Sequence, residues 1–309
     1  MASNEFLLFI LFNAFILVML ALDLGVFNRK AHTITVKEAV LWSIVWTVLA
    51  LAFNAGVFAV GGTTKGLEFL TGYLIERALS FDNIFVFVII FSYFGVPARY
   101  HHKALFWGVV GALITRSIFI AAGTALIIHF EWILYIFGGI LIISGWKMLM
   151  GKNIEVHPDR NIFIRITRRF FPVTSGYESA KFFLRKEGNL FLTPLFLVLV
   201  TVETTDIVFA VDSIPAVFGV TQDPFIVYSS NVFAILGLRA TYFLLAGIMD
   251  SFHYLSHGLS LVLIFIGLKM LVAGFFPVHI VASLIIVAVI LLVAVIASIV
   301  RNRRQKPAA

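Results

Sequence analysis

The sequence predicts an all-α polytopic membrane protein of about nine transmembrane helices, with two inverted three-helix repeats inside it. Three observations predict it. Hydrophobic residues make up 61% of the 309 and charged residues 13%, against roughly 45–50% and about 25% in globular proteins. Apolar runs long enough to cross ~30 Å of hydrocarbon follow one another along the whole chain. The two halves of the chain also repeat the same chemistry in the same order. Such a composition excludes soluble enzymes, nucleic-acid binders and disordered scaffolds.

The first span is Phe6 to Leu22, continuing through Asp23 toward Phe27. The Met-Ala-Ser-Asn-Glu start lacks the basic region of a signal peptide, so the span is expected to remain uncleaved. The second covers Ala39 to about Gly61 and completes an N-terminal pair over residues 1–66. Residues 67–149 hold the first repeat. Its spans are 69–94 with Glu76, Arg77 and Asp82, 104–128 with Arg116, and 132–149 ending on Lys147. A basic loop, 150–189, leads to the second repeat, 190–276. There, 190–220 carries Glu203, Asp206 and Asp212, 225–248 carries Arg239, and 258–275 carries Lys269. The ninth span, 281–300, and a basic tail make up 277–309.

Charge asymmetry orients these spans. With the 150–189 loop in the cytoplasm, alternation also places Arg29, Lys30, Lys37, Arg99, Lys103 and the Arg301–Lys306 tail inside. The outer connections then hold a single lysine, Lys65. The positive-inside rule is obeyed with the amino terminus outside and the carboxyl terminus inside. Those loop charges account for the net +7, so nothing in it points to nucleic acid. In the loop, Ile162–Phe171 reads either as a solvated connector or as a basic segment lying on anionic lipid. The absence of cysteine excludes disulfides, thiolate metal sites and thiol catalysis.

Phe137–Leu149 matches Leu259–Leu271, with Gly145/Gly267, Lys147/Lys269 and Met148/Met270 coinciding. Arg116 answers to Arg239, and the six-residue spacing of Glu76 and Asp82 recurs in Asp206 and Asp212. Three spans per unit is odd, so the second unit enters the membrane from the opposite side. Secondary transporters use such inverted repeats and bind cargo near the midplane where the repeats meet.

Five carboxylates lie well inside spans: Glu76, Asp82, Glu203, Asp206 and Asp212. Each costs at least ~2.5 kcal/mol at a helix centre unless a proton, an arginine or a cation neutralises it. Arg116 and Arg239 are the candidate charge partners. A buried ion-pair network would use the acids structurally; their excess over nearby arginines favours a bound cation. Pro215 removes a backbone donor, which predicts a break near Val211–Asp212 that would free carbonyls and re-aim Asp212. Asn83, Asp23 and Ser213 are candidate supporting oxygen donors, Asp23 with a competing role as a helix-contact residue. No histidine falls within a span. An all-oxygen site favours manganese, magnesium or calcium over zinc or copper, with monovalent ions and protons also open.

An intramembrane acid/base enzyme is the competing class. The His-Glu-x-x-His zinc motif, the Gly-x-Ser-x-Gly elbow and the Gly-x-Gly-Asp protease signature are all missing. The expectation is a non-enzyme.

The chain resembles the TerC family of integral membrane proteins, and within it the Alx-like branch. The resemblance rests on Ala21–Phe27, Gly72–Val86, Phe91–Pro97 and Trp132–Gly138 in the first half. In the second half it rests on Val202–Ala216, Asp223–Val227 and Ser230–Ala240. It implies residence in a bacterial cytoplasmic membrane and export of manganese, with alkaline-pH response and tellurite resistance also associated with the family. It further implies a metal-handling role for Glu76, Asp82, Glu203, Asp206 and Asp212, which fall on the family's acidic positions. A redox-modulating or metal-sensing role without transport is the alternative it carries. The resulting expectation is a manganese exporter, with inward protons as a candidate counter-ion and calcium or magnesium as candidate cargo.

Overall fold

The computed structural model describes residues 2–22, 35–130, 132–151, 162–174, 176–177, 181–186, 189–246, 254–276 and 278–305. The elements in chain order are α1 (Ala2–Leu22), α2 (Val36–Tyr93), α3 (Ala98–His129), α4 (Ile133–Leu149) and α5 (Ile162–Phe170). A hairpin of β1 (Phe183–Lys186) and β2 (Asn189–Leu192) precedes α6 (Pro194–Phe218), α7 (Pro224–Leu236), α8 (Leu238–Leu245), α9 (Leu255–Val272) and α10 (Ile280–Gln305). Five of these helices are long and apolar enough to cross a membrane, and two shorter apolar helices, 7–21 and 133–149, join them.

Spans two and three both belong to α2, which opens with a capping box in which Thr35 and Glu38 satisfy each other's backbone N–H groups. Gly62 divides them with φ 80° and ψ 179°, a conformation that only glycine adopts without strain. The rings of Phe53 and Phe69 lie 5.3 Å apart. On a straight helix, sixteen residues would separate them by about 24 Å. The chain therefore doubles back at Gly62, and the expectation of two spans there is met by one bent element. Phe53, Phe69, Phe12 of α1 and Phe225 and Phe233 of α7 pack edge to face or tilted into one aromatic core.

Two expectations are corrected. The sixth span does not begin at Leu190. The residue before a proline is held out of the α region, and Thr193 is extended at φ −99° and ψ 161°. The helix consequently starts at Pro194, and Asn189–Leu192 pairs antiparallel with Phe183–Lys186 instead. That hairpin is a small addition to an all-helical bundle. The break foreseen near Val211–Asp212 is absent, because α6 runs through Pro215 to Phe218. Every residue from Ser213 to Phe218 is buried, and this packing holds the helix together despite the one donor lost at Pro215. The break falls in the seventh span instead, at Gly237 between α7 and α8.

Helices α4 and α9 meet along their backbones. A Cβ on Gly138 would stand 2.9 Å from the Gly267 carbonyl oxygen, and one on Gly267 would stand 2.6 Å from that of Gly138. Gly145 sits in the same way against Ser260 and Ile264. Small residues at such crossings let membrane helices approach closely.

Candidate functional site

The most buried charged group is assembled at mid-depth by four elements. Asp206 stands twelve residues from either end of α6, about 18 Å of helix on each side. Glu76 comes from α2, Arg116 from the middle of α3 and Asn231 from α7. Glu76 is 0% exposed, Arg116 2% and Asp206 3%.

The Arg116 guanidinium organises the group. Its Nη1 donates to Glu76 Oε1 in an ion pair, to Ser213 Oγ at 2.9 Å and to Asn231 Oδ1 at 3.1 Å. Nη2 and Nε donate to the two oxygens of Asp206 at 3.2 and 3.4 Å. Asn83 Nδ2 donates to Asp206 Oδ1 at 3.4 Å, while the second Glu76 oxygen has no partner among the described residues. Two carboxylates thus share one guanidinium. With all three groups ionised the cluster carries one unbalanced negative charge, in a setting where an unbalanced charge is costly. A proton or a cation would supply the missing charge.

The expected five-carboxylate shell is not what the structure assembles. Among the described residues, no group of three or more His, Asp or Glu side chains comes together as a metal-holding cluster. Glu76 and Asp206 converge on Arg116, with Asn83 and Ser213 beside them. Glu203, one turn before Asp206, is near enough to interact electrostatically with it. Both Glu203 oxygens are buried against Gly111 of α3 with no hydrogen-bond partner among the described residues. Asp82 turns instead toward α9, where Ser256 is close enough to interact with it. Asp212 turns toward α4 and accepts from Ser144 Oγ at 2.6 Å. The physical reason is angular: six residues along a straight helix rotate a side chain by about 600°, which leaves the two side chains about 120° apart and aimed at different neighbours. Arg239 is buried in α8. Asp23 lies outside the described residues.

Asn231 is the member that the sequence reasoning missed. The polar run Ser229-Ser230-Asn231 inside an otherwise apolar span was the available signal, and all three are 0% exposed.

A multi-pass helical bundle enclosing an arginine and two carboxylates at mid-depth defines an integral membrane protein with a polar heart. The comparisons place it further. Residues 61–306 match the model of the integral membrane protein TerC family. An uncharacterized membrane protein of Myxococcus xanthus is 50% identical over 292 residues, 94% of this chain and 92% of that one. Alx of Escherichia coli K12, whose name describes a proposed membrane-bound redox modulator, is 45% identical over 305 residues, 96% and 95% of the two chains. A membrane protein of Rickettsia felis is 41% identical over 293 residues, 95% and 97%. No solved structure matches. The chain belongs to the TerC family.

Proposed function

We propose that this protein exports divalent manganese from the cytoplasm through the buried Glu76–Asp206 site. The observation that carries the reading is the charge deficit there: two carboxylates held against one guanidinium at mid-membrane. Asn231 and Ser213 add neutral oxygens around it, and Asn83 lies against Asp206. Carboxylate and neutral oxygen donors without sulfur or imidazole suit manganese, magnesium or calcium. Arg116 holds the two acids between cargo ions and yields them when a divalent ion arrives.

Outward movement of two positive charges against ~100 mV costs about 4.6 kcal/mol, at ~2.3 per charge. Carboxylates that release protons on binding metal offer proton exchange as the source. The basic loop and tail support a cytoplasmic carboxyl terminus and an outer amino terminus.

Inverted repeats find support in the α4–α9 contact. The internal match pairs Phe137 with Leu259, a shift of 122 residues. Under that shift the Gly138–Gly267 contact becomes Gly145–Ser260, and Gly145–Ile264 becomes Gly267–Ile142; all four contacts occur. Residue numbers rise on one helix as they fall on the other, so the pair is antiparallel. An antiparallel pair that exchanges its contacts in this way is what a two-fold axis in the membrane plane produces.

The redox-modulator name of the Alx relatives suggests a second reading. A chain without cysteine has no thiol to exchange, so a redox effect here would follow from the metal it moves.

The test measures cellular manganese by elemental mass spectrometry in a manganese-sensitive bacterial strain expressing the wild type or Asp206→Asn at equal membrane levels. Lower manganese with the wild type alone is the expected result. Equal lowering by both removes Asp206 from the site, and no lowering by either removes manganese export.

A further inference from the structure

Helix α5 lies outside the apolar spans, and its nine residues sort into three faces. Ile164 is 3% exposed and faces the body of the protein, and α5 packs against α6. Ile162, Ile166 and Phe170 recur every fourth residue and are 60%, 46% and 71% exposed. Phe163 widens that apolar arc, and Phe171 follows it, also exposed. Arg165, Arg168 and Arg169 occupy the adjoining arc, all exposed, and none forms an ion pair among the described residues.

An apolar arc open to solvent beside a guanidinium arc is unstable in water and stable at one kind of boundary. At a bilayer surface the apolar side chains reach the acyl region while the cationic groups stay level with the headgroups. Guanidinium forks match phosphate oxygens two at a time. Because the helix belongs to an integral membrane protein, that boundary lies alongside the protein's own spans.

We propose that α5 is a binding surface for anionic phospholipid, with Arg165, Arg168 and Arg169 on the headgroup phosphates and Ile162, Ile166 and Phe170 in the upper acyl layer. The packing of α5 against α6 makes this a fixed platform rather than a free tail, so the lipid bound there bears directly on α6, the helix that carries Asp206. The surface stands independently of the identity of the transported ion.

The chain has no cysteine, so Phe170→Cys gives the full-length protein a single site for a nitroxide spin label. In phosphatidylglycerol vesicles the label should collide more with oxygen, which concentrates in the bilayer, than with a water-soluble nickel chelate. Phosphatidylcholine vesicles should reverse that preference, as should exchange of all three arginines for glutamine. With ~1 kcal/mol per basic residue at an anionic surface, the triple substitution should lower preference for anionic over zwitterionic lipid on the order of 100-fold. Inorganic phosphate at millimolar concentration should leave the label's depth unchanged. A water-exposed label in phosphatidylglycerol overturns the proposal, as does a depth indifferent to lipid charge. A shift produced by inorganic phosphate alone overturns it in favour of a free-anion site. The lipid comparison uses unsubstituted arginines and remains decisive where the triple variant fails to fold.

Discussion

Arg77 of α2 donates from Nη1 to the backbone carbonyl of Ala234 at 3.3 Å, and its guanidinium fills the space over Gly237 where α7 gives way to α8. The interruption of the seventh span and the charge in the third are one feature. The arginine takes a carbonyl in the last turn of α7, and only the missing side chain at 237 leaves room for it. Gly237→Ala should displace the guanidinium and break that bond, at a cost of about 1–3 kcal/mol for a buried polar group left unsatisfied. Arg77→Met should remove the same bond. Unfolding in detergent micelles checks the pair, because the double variant should cost clearly less than the two single costs together.

The Arg116 cluster predicts an unusual rescue. Arg116→Met leaves Glu76 and Asp206 buried without their partner and should destabilise the protein by about 3–5 kcal/mol. Adding Glu76→Gln and Asp206→Asn removes both stranded charges and should recover most of the loss, without recovering activity. Yield of folded protein from membranes and the midpoint of thermal unfolding measure it. A triple variant no more stable than Arg116→Met would show that the charges are not what the arginine offsets.

At the end of the bundle where α2 doubles back, Asp223 both caps α7 and pairs with Lys65, and the smaller effect belongs to the ion pair. Its carboxylate accepts from the backbone N–H groups of Phe225 and Ile226 at 3.0 and 3.3 Å and meets Lys65 Nζ at 2.6 Å. Lys65 is half exposed, and an exposed pair contributes about 0–1 kcal/mol. Loss of an N-cap costs about 0.5–2 kcal/mol. Asp223→Ala should therefore lower stability more than Lys65→Ala in side-by-side unfolding. Raising salt should narrow the small effect at Lys65 and leave the larger one at Asp223.

Spans, their approximate limits and the acids within them were legible because bilayer burial writes itself in composition. The partnership of Arg116 with carboxylates was legible for the same reason, since few groups can neutralise an acid in hydrocarbon. Which acids Arg116 would take was not legible. Glu76 and Asp82 read alike in sequence, yet the turn of α2 sends one to Arg116 and the other to Ser256 of α9. Pro215 drew the helix break to the wrong span, because a proline is visible in sequence and the packing that overrides it is not. The break at Gly237 depends on a residue 160 positions away, beyond the reach of any local pattern. The strand at Asn189–Leu192 had a readable cause in Pro194, masked by the apolar run through it.

The crossing of α4 and α9 gives the sharpest test of repeat symmetry. Gly145 and Gly267 coincide when Phe137–Leu149 is matched with Leu259–Leu271, and each lies against the backbone of the opposite helix. A Cβ at Gly145 would approach the Ser260 carbonyl oxygen to 2.7 Å and the Ile264 nitrogen to 3.2 Å. A Cβ at Gly267 would approach the Gly138 carbonyl oxygen to 2.6 Å and the Ile142 nitrogen to 3.1 Å. Backbone atoms cannot swing aside, so either alanine must push the helices apart, for about 1–3 kcal/mol of overpacking. If the two-fold relation governs the contact, Gly145→Ala and Gly267→Ala should cost nearly the same. Gly139→Ala on the same helix, where a Cβ meets nothing within 4 Å, should cost almost nothing. The double variant should cost less than the sum, because helices already parted by one methyl have room for the second. Unequal single costs would break the symmetry of the pair while leaving its close approach in place. Two negligible costs would show that the backbones do not meet there at all.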